Sequence, residues 1–567
     1  MSTNVSSPIL SLPDDISILL LATAAQTEPP RGIGFRCARN QALGFLRLSE
    51  VCRRWRALLL SMPSIWAEVV FTIPPAPATL ALSRSKSHPL RASIPSITIP
   101  INYRPGKPTG REHNYLIALL AEHAARIGTL SASDLEAKDY RVAFRDPLPL
   151  LKRLVFIHIG SPPSPRDIGN ICIDAPTLHT MEIMIDEGSN IQFPITYDNA
   201  PGITLKLPAL RSISISLIDI RMKDSNLRWI VPLLRNTPLI EVLHLSFSVD
   251  SGTRAQWNTL FKDQPVELSR LRRLELEGGP QANTLDLFRY IQSPSLRRTN
   301  IKHHLSDQSG KAADAIKYLC HTLHRPSYDG LLVRLDATYI RTCTLTVAVF
   351  PSLHPVTFYS PESLLKGDLP DIAVVSTGST LPPDAPLHRQ MIDMLAAALK
   401  DNAPKQLVVD APTFKAWPSA LQTILPLCSQ VTQLFVWHPW NHREPGFPIF
   451  PSPVILPALE TLSIRPVFDA ISYKQYRRAI GAWWLELTSW LERRAHATTR
   501  IRKLYIYGLD RQPDHGQVKR KHEVAEAQLR QRAAEFVDEL FDERVRRSSP
   551  PRHFTVTASS SESSSDE

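Results

Sequence analysis

A short apolar phrase recurs through the chain and restricts the fold more than any other feature of the sequence. The phrase is an apolar residue, two variable residues, a second apolar residue, one variable residue and a third apolar residue. Successive copies begin 25 to 32 residues apart. The copies are Leu151-Leu154-Phe156, Leu178-Met181-Ile183, Leu210-Ile213-Ile215, Ile240-Leu243-Leu245, Leu271-Leu274-Leu276 and a weaker Leu296-Thr299-Ile301. The alternation predicts a short strand in each copy.

One such strand cannot bury its apolar side chains alone, so the copies must stack on one another. Each intervening segment is expected to supply a helix or a turn that covers the strands. The phrase and its period resemble degenerate leucine-rich repeats, although the Asn or Cys that usually follows the third apolar residue is missing. The resemblance implies an irregular α/β solenoid. Strands of an ordinary α/β domain are the alternative.

We assign the repeat-like region to residues 72–512. The phrase fades over residues 306–429, where divergent repeats and an inserted unit both stay open. Strands are predicted there at residues 331–335, 344–350, 372–375 and 407–409. The phrase returns at Val431-Leu434-Val436, Leu459-Leu462-Ile464 and Ile501-Leu504-Ile506.

The N-terminal segment has a different, helical pattern. Pro13, Asp14 and Asp15 predict the start of a helix, because proline is tolerated in the first turn and acids complement the helix dipole. Ile16, Leu19 and Leu20 then follow at helical spacing. Further on, the residues Leu48, Cys52, Trp55 and Leu59 have the spacing of one face of a single helix, which Pro63 is expected to end.

This segment resembles an F-box. The matching residues are Leu12-Pro13, the two acids, Val51-Cys52-Arg53-Arg54-Trp55 and Pro63-Ser64-Ile65-Trp66. The resemblance implies that residues 1–71 form three helices that dock on a Skp-family adaptor. It divides the following residues between the helical core and that interface: Leu12, Pro13, Ile16, Leu19, Leu20, Leu48, Val51, Cys52, Trp55, Leu58, Pro63, Ile65 and Trp66. Residues 26–39 form an insertion relative to the family pattern.

The C-terminal part is predicted to contain two helices and a tail. Residues 473–497 form a helix whose Trp483, Trp484 and Trp490 favour core packing over a partner site. Residues 513–547 are predicted to be a charged helix. Residues 548–567 are rich in Ser and acids, and this composition is typical of a disordered tail. The overall expectation is an α+β chain: a helical F-box, an α/β repeat region and this tail.

Composition limits the classes of partner. The formal net charge is +11, but the basic residues are spread along the chain, so nucleic-acid binding is only a weaker alternative. Six cysteines without a Cys-x-x-Cys pair indicate a reducing compartment, cytoplasmic or nuclear. No apolar run is long enough to span a bilayer, so no membrane association is expected.

We find no motif for catalysis, for a cofactor or for a metal. The sequence lacks a P-loop, a Gly-x-Ser-x-Gly and a His-Glu-x-x-His. His438 and His442 are four residues apart, but Pro439 and Pro445 argue against the helix that would place them together. The adjacent His303 and His304 point in different directions.

The resemblance implies a non-catalytic role. The chain would be the substrate-recognition subunit of an SCF-type (cullin-RING) ubiquitin ligase. It would bind a Skp-family adaptor, and through it a cullin, and its repeats would hold an unidentified protein substrate. The alternative is an interaction scaffold with an F-box-like cap that acts outside a ligase.

Overall fold

The computed structural model describes most of the chain in separate segments. These are residues 12–28, 30, 44–96, 110–159, 163–188, 195, 202–220, 227–248, 255–262, 264–278, 284–305, 328–337, 343–351, 372–379, 393, 395–397, 399, 404–410, 423–440, 455–468, 473–497, 500–507, 509–511 and 516–547. None of the helices in these segments has both the length and the hydropathy that a bilayer span requires. The chain divides into two compact units, residues 1–305 (unit 1) and residues 306–567 (unit 2).

Unit 1 begins with short helices. They are α1 (Asp14–Thr27), a 3-10 helix (Gly44–Glu50), α2 (Arg53–Leu60), α3 (Pro63–Val69) and α4 (Pro75–Ser85). Asp14 and Asp15 occupy the first turn of α1, as predicted, where they complement the positive end of the helix dipole. Pro63 and Pro75 begin α3 and α4, because a helix start does not need the N–H that proline lacks.

The predicted single helix through Leu48, Cys52, Trp55 and Leu59 is wrong. Leu48 lies on the 3-10 helix, whereas Cys52 precedes α2 with an extended backbone, at φ −157° and ψ 166°. From there the Cys52 sulfur accepts a hydrogen bond from the Trp55 N–H at 3.4 Å, which caps α2. Pro63 likewise begins α3, whereas α2 already ends at Leu60.

The strands of unit 1 carry the recurring phrase. In chain order they are β1 (Leu90–Ile94), β2 (Ile127–Ser133), β3 (Arg153–Ile159), β4 (Asn170–Asp174), β5 (Thr180–Gly188), β6 (Gly202–Lys206), β7 (Ser212–Ile220), β8 (Val242–Ser248), β9 (Val266–Glu267), β10 (Arg273–Gly278), β11 (Ile291–Gln292) and β12 (Arg298–Leu305). The main sheet has the order β1, β2, β3, β5, β7, β8, β10, β12, and all its pairings are parallel. Strand β4 pairs with β6, and β9 with β11.

The strand prediction for the six copies in unit 1 is confirmed. The middle residues of successive copies are direct neighbours across the sheet: Leu154, Met181, Ile213, Leu243, Leu274 and Thr299. Each is at most 3% exposed. The sequence period therefore becomes a continuous buried layer, and the fold is of the mixed α/β kind with parallel sheets.

Helices connect the strands of unit 1. They are α5 (Gly110–Glu122), a 3-10 helix (Ala124–Arg126), α6 (Ala137–Ala143), α7 (Pro165–Ile168), α8 (Ile230–Arg235), α9 (Trp257–Phe261) and α10 (Thr284–Arg289). Many of their apolar residues are buried, as Leu116, Leu120 and Leu233 illustrate with no exposed surface. Helix α5 packs against β1, and α10 packs against β10, β11 and β12.

Unit 2 also has mostly parallel strand pairing. Its strands are β13 (Gly330–Ala337), β14 (Cys343–Phe350), β15 (Ile372–Ser379), β16 (Gln406–Asp410), β17 (Gln433–Trp440), β18 (Thr461–Phe468), β19 (Ile501–Ile506), β20 (Leu509–Arg511), β21 (Val537–Asp542) and β22 (Val545–Arg547). The order is β15, β14, β13, β16, β17, β18, β19, β21, with β14 antiparallel to both neighbours. The strands predicted within residues 306–429 are all present, but the antiparallel β14 departs from the repeat pattern.

Helix α11 (Tyr473–Ala497) packs its tryptophans into the core of unit 2. Trp483, Trp484 and Trp490 are at most 1% exposed, so the prediction of core packing is confirmed. The guanidinium of Arg494 is buried beside them, and it donates to the carbonyl oxygens of Ile455 at 3.0 Å and Leu456 at 2.8 Å. Burial lowers the pKa of Arg494 to about 10.

The predicted continuous helix over residues 513–547 is wrong in its second half. Helix α12 (Gly516–Ala534) is followed by β21, which pairs in parallel with β19. Arg544 joins the helix to the strand, because its guanidinium forms ion pairs with Glu526 of α12 at 2.7 Å and with Asp542 of β21 at 2.6 Å. These carboxylates raise the pKa of Arg544 despite its burial. Residues 548–567 lie outside the described part of the chain.

Candidate docking surface on the N-terminal helices

The core of the N-terminal helices contains three of the residues singled out from the sequence. Trp55, Ile65 and Trp66 are 5%, 4% and 7% exposed. The indole N–H of Trp66 donates to the carbonyl oxygen of Leu59 at 2.9 Å. Leu21 and Phe45, which sequence reasoning did not select, complete this core. These side chains hold α1, the 3-10 helix, α2 and α3 together.

Three apolar side chains of α1 face away from this core. Ile16, Leu19 and Leu20 are 41%, 63% and 43% exposed, whereas Ser17 and Leu21 are fully buried. Because residues three and four apart share a helix face, Ile16, Leu19 and Leu20 form one exposed apolar strip. Helical spacing identified this strip correctly but did not reveal which side of α1 faces the core.

Other exposed apolar side chains lie on the helices next to α1. Val51, at the junction of the 3-10 helix and α2, is 51% exposed, and Leu60 at the end of α2 is 42% exposed. Both of those helices contact α1. Leu60 and Ile18, which is 39% exposed, were missed by sequence reasoning. Several exposed apolar side chains on one small helical group are typical of a protein interaction site.

The remaining residues from the sequence prediction lie between these two groups. Pro13 is exposed, just before α1. The half-buried residues are Leu12, Leu48, Cys52, Leu58 and Pro63. The structure thus separates the predicted set into a core, a boundary and an exposed face. Of the insertion at residues 26–39, only residues 26–28 and 30 are described.

Ion pairs fix the start of α1 against α2. The guanidinium of Arg54 donates to Asp14 Oδ1 at 2.6 Å and to the carbonyl oxygen of Leu12 at 2.6 Å. Arg47 pairs with Glu28 at 2.9 Å at the other end of α1. Both pairs are solvent-exposed, so each contributes roughly 0–1 kcal/mol and mainly sets the orientation of α1.

The helices are also joined directly to the first strands. The Arg84 guanidinium lies 4.5 Å from the centre of the Trp66 ring, which connects α4 to α3. Arg126, just before β2, donates to Ser85 Oγ at 2.8 Å and to the carbonyl oxygen of His88 at 3.2 Å. The exposed strip is therefore carried on a helical group that is packed against the sheet of unit 1.

A buried polar cluster near the ends of β1 to β3 was missed by sequence reasoning. Ser96 Oγ donates to Asp134 Oδ2, and Asp134 Oδ1 accepts from the backbone N–H of Ile159 at 2.6 Å. Tyr140 Oη and His158 Nε2 are hydrogen-bonded at 2.8 Å. These four side chains are each at most 9% exposed.

The geometry of this cluster favours a structural role over catalysis. The Ser96 hydroxyl donates to the carboxylate of Asp134, whereas the serine of a Ser-His-Asp triad donates to a histidine. Burial lowers the pKa of His158 to about 4, so its imidazole is neutral near pH 7. Asp134 has a left-handed backbone, with φ 49°, and its carboxylate accepts a hydrogen bond from the Ile159 N–H. In the sequence, only the position of Asp134, an acid directly after the segment that forms β2, could have pointed to this cluster.

A second buried pair lies nearby on helices. His113 Nε2 of α5 and Asp139 Oδ2 of α6 are 3.0 Å apart, and both residues are at most 3% exposed. Asp139 also accepts from the Glu136 N–H at the start of α6. Although burial alone would raise the pKa of Asp139, the bonds from His113 and Glu136 lower it.

Within the described residues, no group of three or more His, Cys, Asp or Glu side chains has the arrangement of a metal site. His303 and His304 lie in β12 and His438 lies in β17, but their side chains are not among those described. His442 lies outside the described residues.

Comparison with known proteins gave no relative. No protein-family model matches the chain. No curated protein matches it at a significant level.

Proposed function

We propose that this protein is the substrate-recognition subunit of an SCF-type ubiquitin ligase. One observation supports this above the others: Ile16, Leu19, Leu20 and Val51 are exposed on a helical group whose core is filled by Trp55, Ile65 and Trp66. A small helical group with a complete core has no internal use for a second apolar face. Covering that face with a partner removes apolar surface from water.

The partner in this proposal is a Skp-family adaptor, which links the chain to a cullin. This assignment rests on the resemblance of residues 12–66 to an F-box. The protein catalyses nothing itself. It raises the effective concentration of its target near the ubiquitin-charged enzyme, as expected when two binding sites are carried by one chain.

The packing of α3 and α4 against β1 and β2 fits this role. A target held on the sheet of unit 1 keeps a fixed position relative to the exposed strip on α1. The repeat-like strands, in this proposal, form the part of the chain that selects the target.

The test is complex formation by the full-length chain with a purified Skp-family adaptor, followed by size-exclusion chromatography. The expected result is co-elution of the two proteins, and of a ternary complex when a cullin is added. A folded chain that does not co-elute with the adaptor would remove the ligase proposal. The alternative, an interaction scaffold with an F-box-like cap, would then take its place.

A further inference from the structure

The fold of unit 1 brings together basic residues that are far apart in the sequence. One residue immediately before each of six successive strands lies at the amino edge of the sheet: Lys152, His179, Arg211, Glu241, Arg272 and Arg297. In the sequence they are separated by about 25 to 32 residues. The basic residues, spread along the chain, are therefore gathered here by the period of the repeat.

A continuous ladder of backbone hydrogen bonds connects these six residues. The N–H of each residue donates to the carbonyl oxygen of the one before it, at 3.0, 3.0, 2.7, 2.8 and 3.0 Å. Neighbouring strands are about 4.8 Å apart, so the row is about 24 Å long. We call these six residues the amino-edge row.

The amino-edge row is accessible and positively charged. Lys152, His179, Arg211, Arg272 and Arg297 are all exposed. Glu241 is the one carboxylate in the row, and it pairs with Arg211 at 2.9 Å. Within the described residues, Lys152 and Arg272 make no side-chain hydrogen bond or ion pair.

We propose that the amino-edge row is a docking site for an acidic, carboxylate-rich segment of a partner protein. Identifying that partner as the ligase target rests on the proposed function, whereas the binding itself does not. The argument is charge complementarity along a line that an extended segment of about eight residues covers, at about 3.3 Å per residue.

The surroundings of the row favour a polypeptide over a nucleic acid. Glu182 and Glu275 lie just inside the sheet and pair with Arg153 and Arg273. Such carboxylates repel a dense line of phosphates more than they repel a peptide with spaced acids. The first residue of each strand, directly after the row, is not aromatic in any of the six strands. Single-stranded nucleic acids normally require aromatic side chains on which bases stack.

The experiment is fluorescence anisotropy with the full-length chain and a labelled twelve-residue peptide of alternating Glu and Gly. The test variant is Lys152→Glu with Arg272→Glu. The control is Arg111→Glu with Arg166→Glu, which changes the net charge equally. Both control residues are exposed and lie in helices that follow the carboxyl ends of β1 and β3. Circular dichroism checks that both variants fold.

The expected result is binding of the Glu peptide that weakens at least about tenfold in the test variant and less than about twofold in the control. A peptide with Gln in place of Glu should not bind. Absence of binding to the wild-type chain, or an equal loss in both variants, would overturn the proposal.

Two further probes examine other anions. A single-stranded oligonucleotide that binds more tightly than the peptide, and loses binding in the test variant, would replace the proposal with nucleic-acid binding. A phosphoserine peptide that binds where the Glu peptide does not would reject the carboxylate assignment.

Adaptor binding by both variants is measured in parallel. Peptide binding without adaptor binding would leave this inference standing and remove the proposed function, and the converse would remove only this inference.

Discussion

The indole nitrogen of Trp66 donates to the carbonyl oxygen of Leu59 at 2.9 Å, and this bond joins the start of α3 to the end of α2. The carbonyl of Leu59 lies in the last turn of α2, so it must accept a hydrogen bond from a donor outside the helix. Trp66 thus serves both as a 7% exposed core residue and as a cap for the preceding helix.

Replacing Trp66 should separate these two contributions. Trp66→Phe keeps an aromatic ring but removes the donor, so local stability of α2 and α3 should fall by about 1 kcal/mol. Trp66→Ala also removes the buried ring, and we expect a loss of roughly 3–5 kcal/mol. Hydrogen–deuterium exchange of the α2 and α3 amides measures both. Unchanged exchange in Trp66→Phe would contradict the assigned contribution of the bond.

His158 should make the stability of the protein depend on pH. Burial lowers its pKa in the folded chain to about 4, although the nearby Asp134 opposes this shift. In the unfolded chain the ordinary pKa is about 6.5, so below pH 6.5 the unfolded chain binds a proton that the folded chain does not. Stability therefore falls as the pH drops from 6.5 to 4, by about 2 kcal/mol between pH 7 and pH 5.

The variant His158→Gln should remove this contribution, because the glutamine amide retains a hydrogen-bonding group for Tyr140 but does not titrate. Pulse proteolysis in urea at pH 7 and pH 5 gives the change in unfolding free energy. His88→Gln, at an exposed position, is the matched control and should retain the pH dependence. A wild-type slope in His158→Gln would show that other groups cause the effect.

Arg494 should stabilise the turn that leads into β18. Leu456 in this turn has a left-handed backbone with φ 60°, which is unfavourable for leucine. The Arg494 guanidinium donates to the Ile455 and Leu456 carbonyl oxygens. Arg494→Met should cost roughly 3 kcal/mol, because these buried carbonyls lose their partner. Urea unfolding of unit 2 measures the loss.

Arg493→Met is the control for that prediction. Arg493 is the neighbouring residue on α11, but it is exposed, so its replacement should change stability by less than about 0.5 kcal/mol. Similar effects of the two substitutions would mean that the buried bonds of Arg494 contribute little.

The strands of unit 1 were predictable because their signal is local. Leu154 and Phe156 alternate with exposed or half-buried residues, and Met181 and Ile183 on β5 repeat the pattern in register. Since one side of the sheet must be covered, this alternation alone identifies both the strand and its buried face.

The break before α2 was not predictable from spacing. Leu48 and Cys52 are four residues apart whether or not the backbone between them is helical. Cys52 has an extended backbone, and its sulfur caps the Trp55 N–H, which is a detail of one turn that spacing does not encode. For α1, spacing grouped Ile16 with Leu19 and Leu20, but only packing reveals that this group faces outward.

Strand β21 was missed because its sequence, VDELFD, contains three acids and lies just after a charged helix. It is an edge strand, and most of its side chains are exposed or half-buried, so it needs little apolar character.

The amino-edge row could not be recognised in the sequence either, because its members become neighbours only when the strands stack.

The adaptor affinity of the full-length chain with an altered α1 strip tests the central proposal most directly. The variant is Leu19→Asp with Leu20→Asp, and isothermal titration with a Skp-family adaptor measures the dissociation constant. The control is Leu485→Asp, an exposed leucine of α11 in unit 2. The wild-type chain and the control should bind equally well, and the α1 variant at least about 30-fold more weakly. Wild-type affinity in the folded α1 variant, or no binding by the wild-type chain, would contradict the proposal.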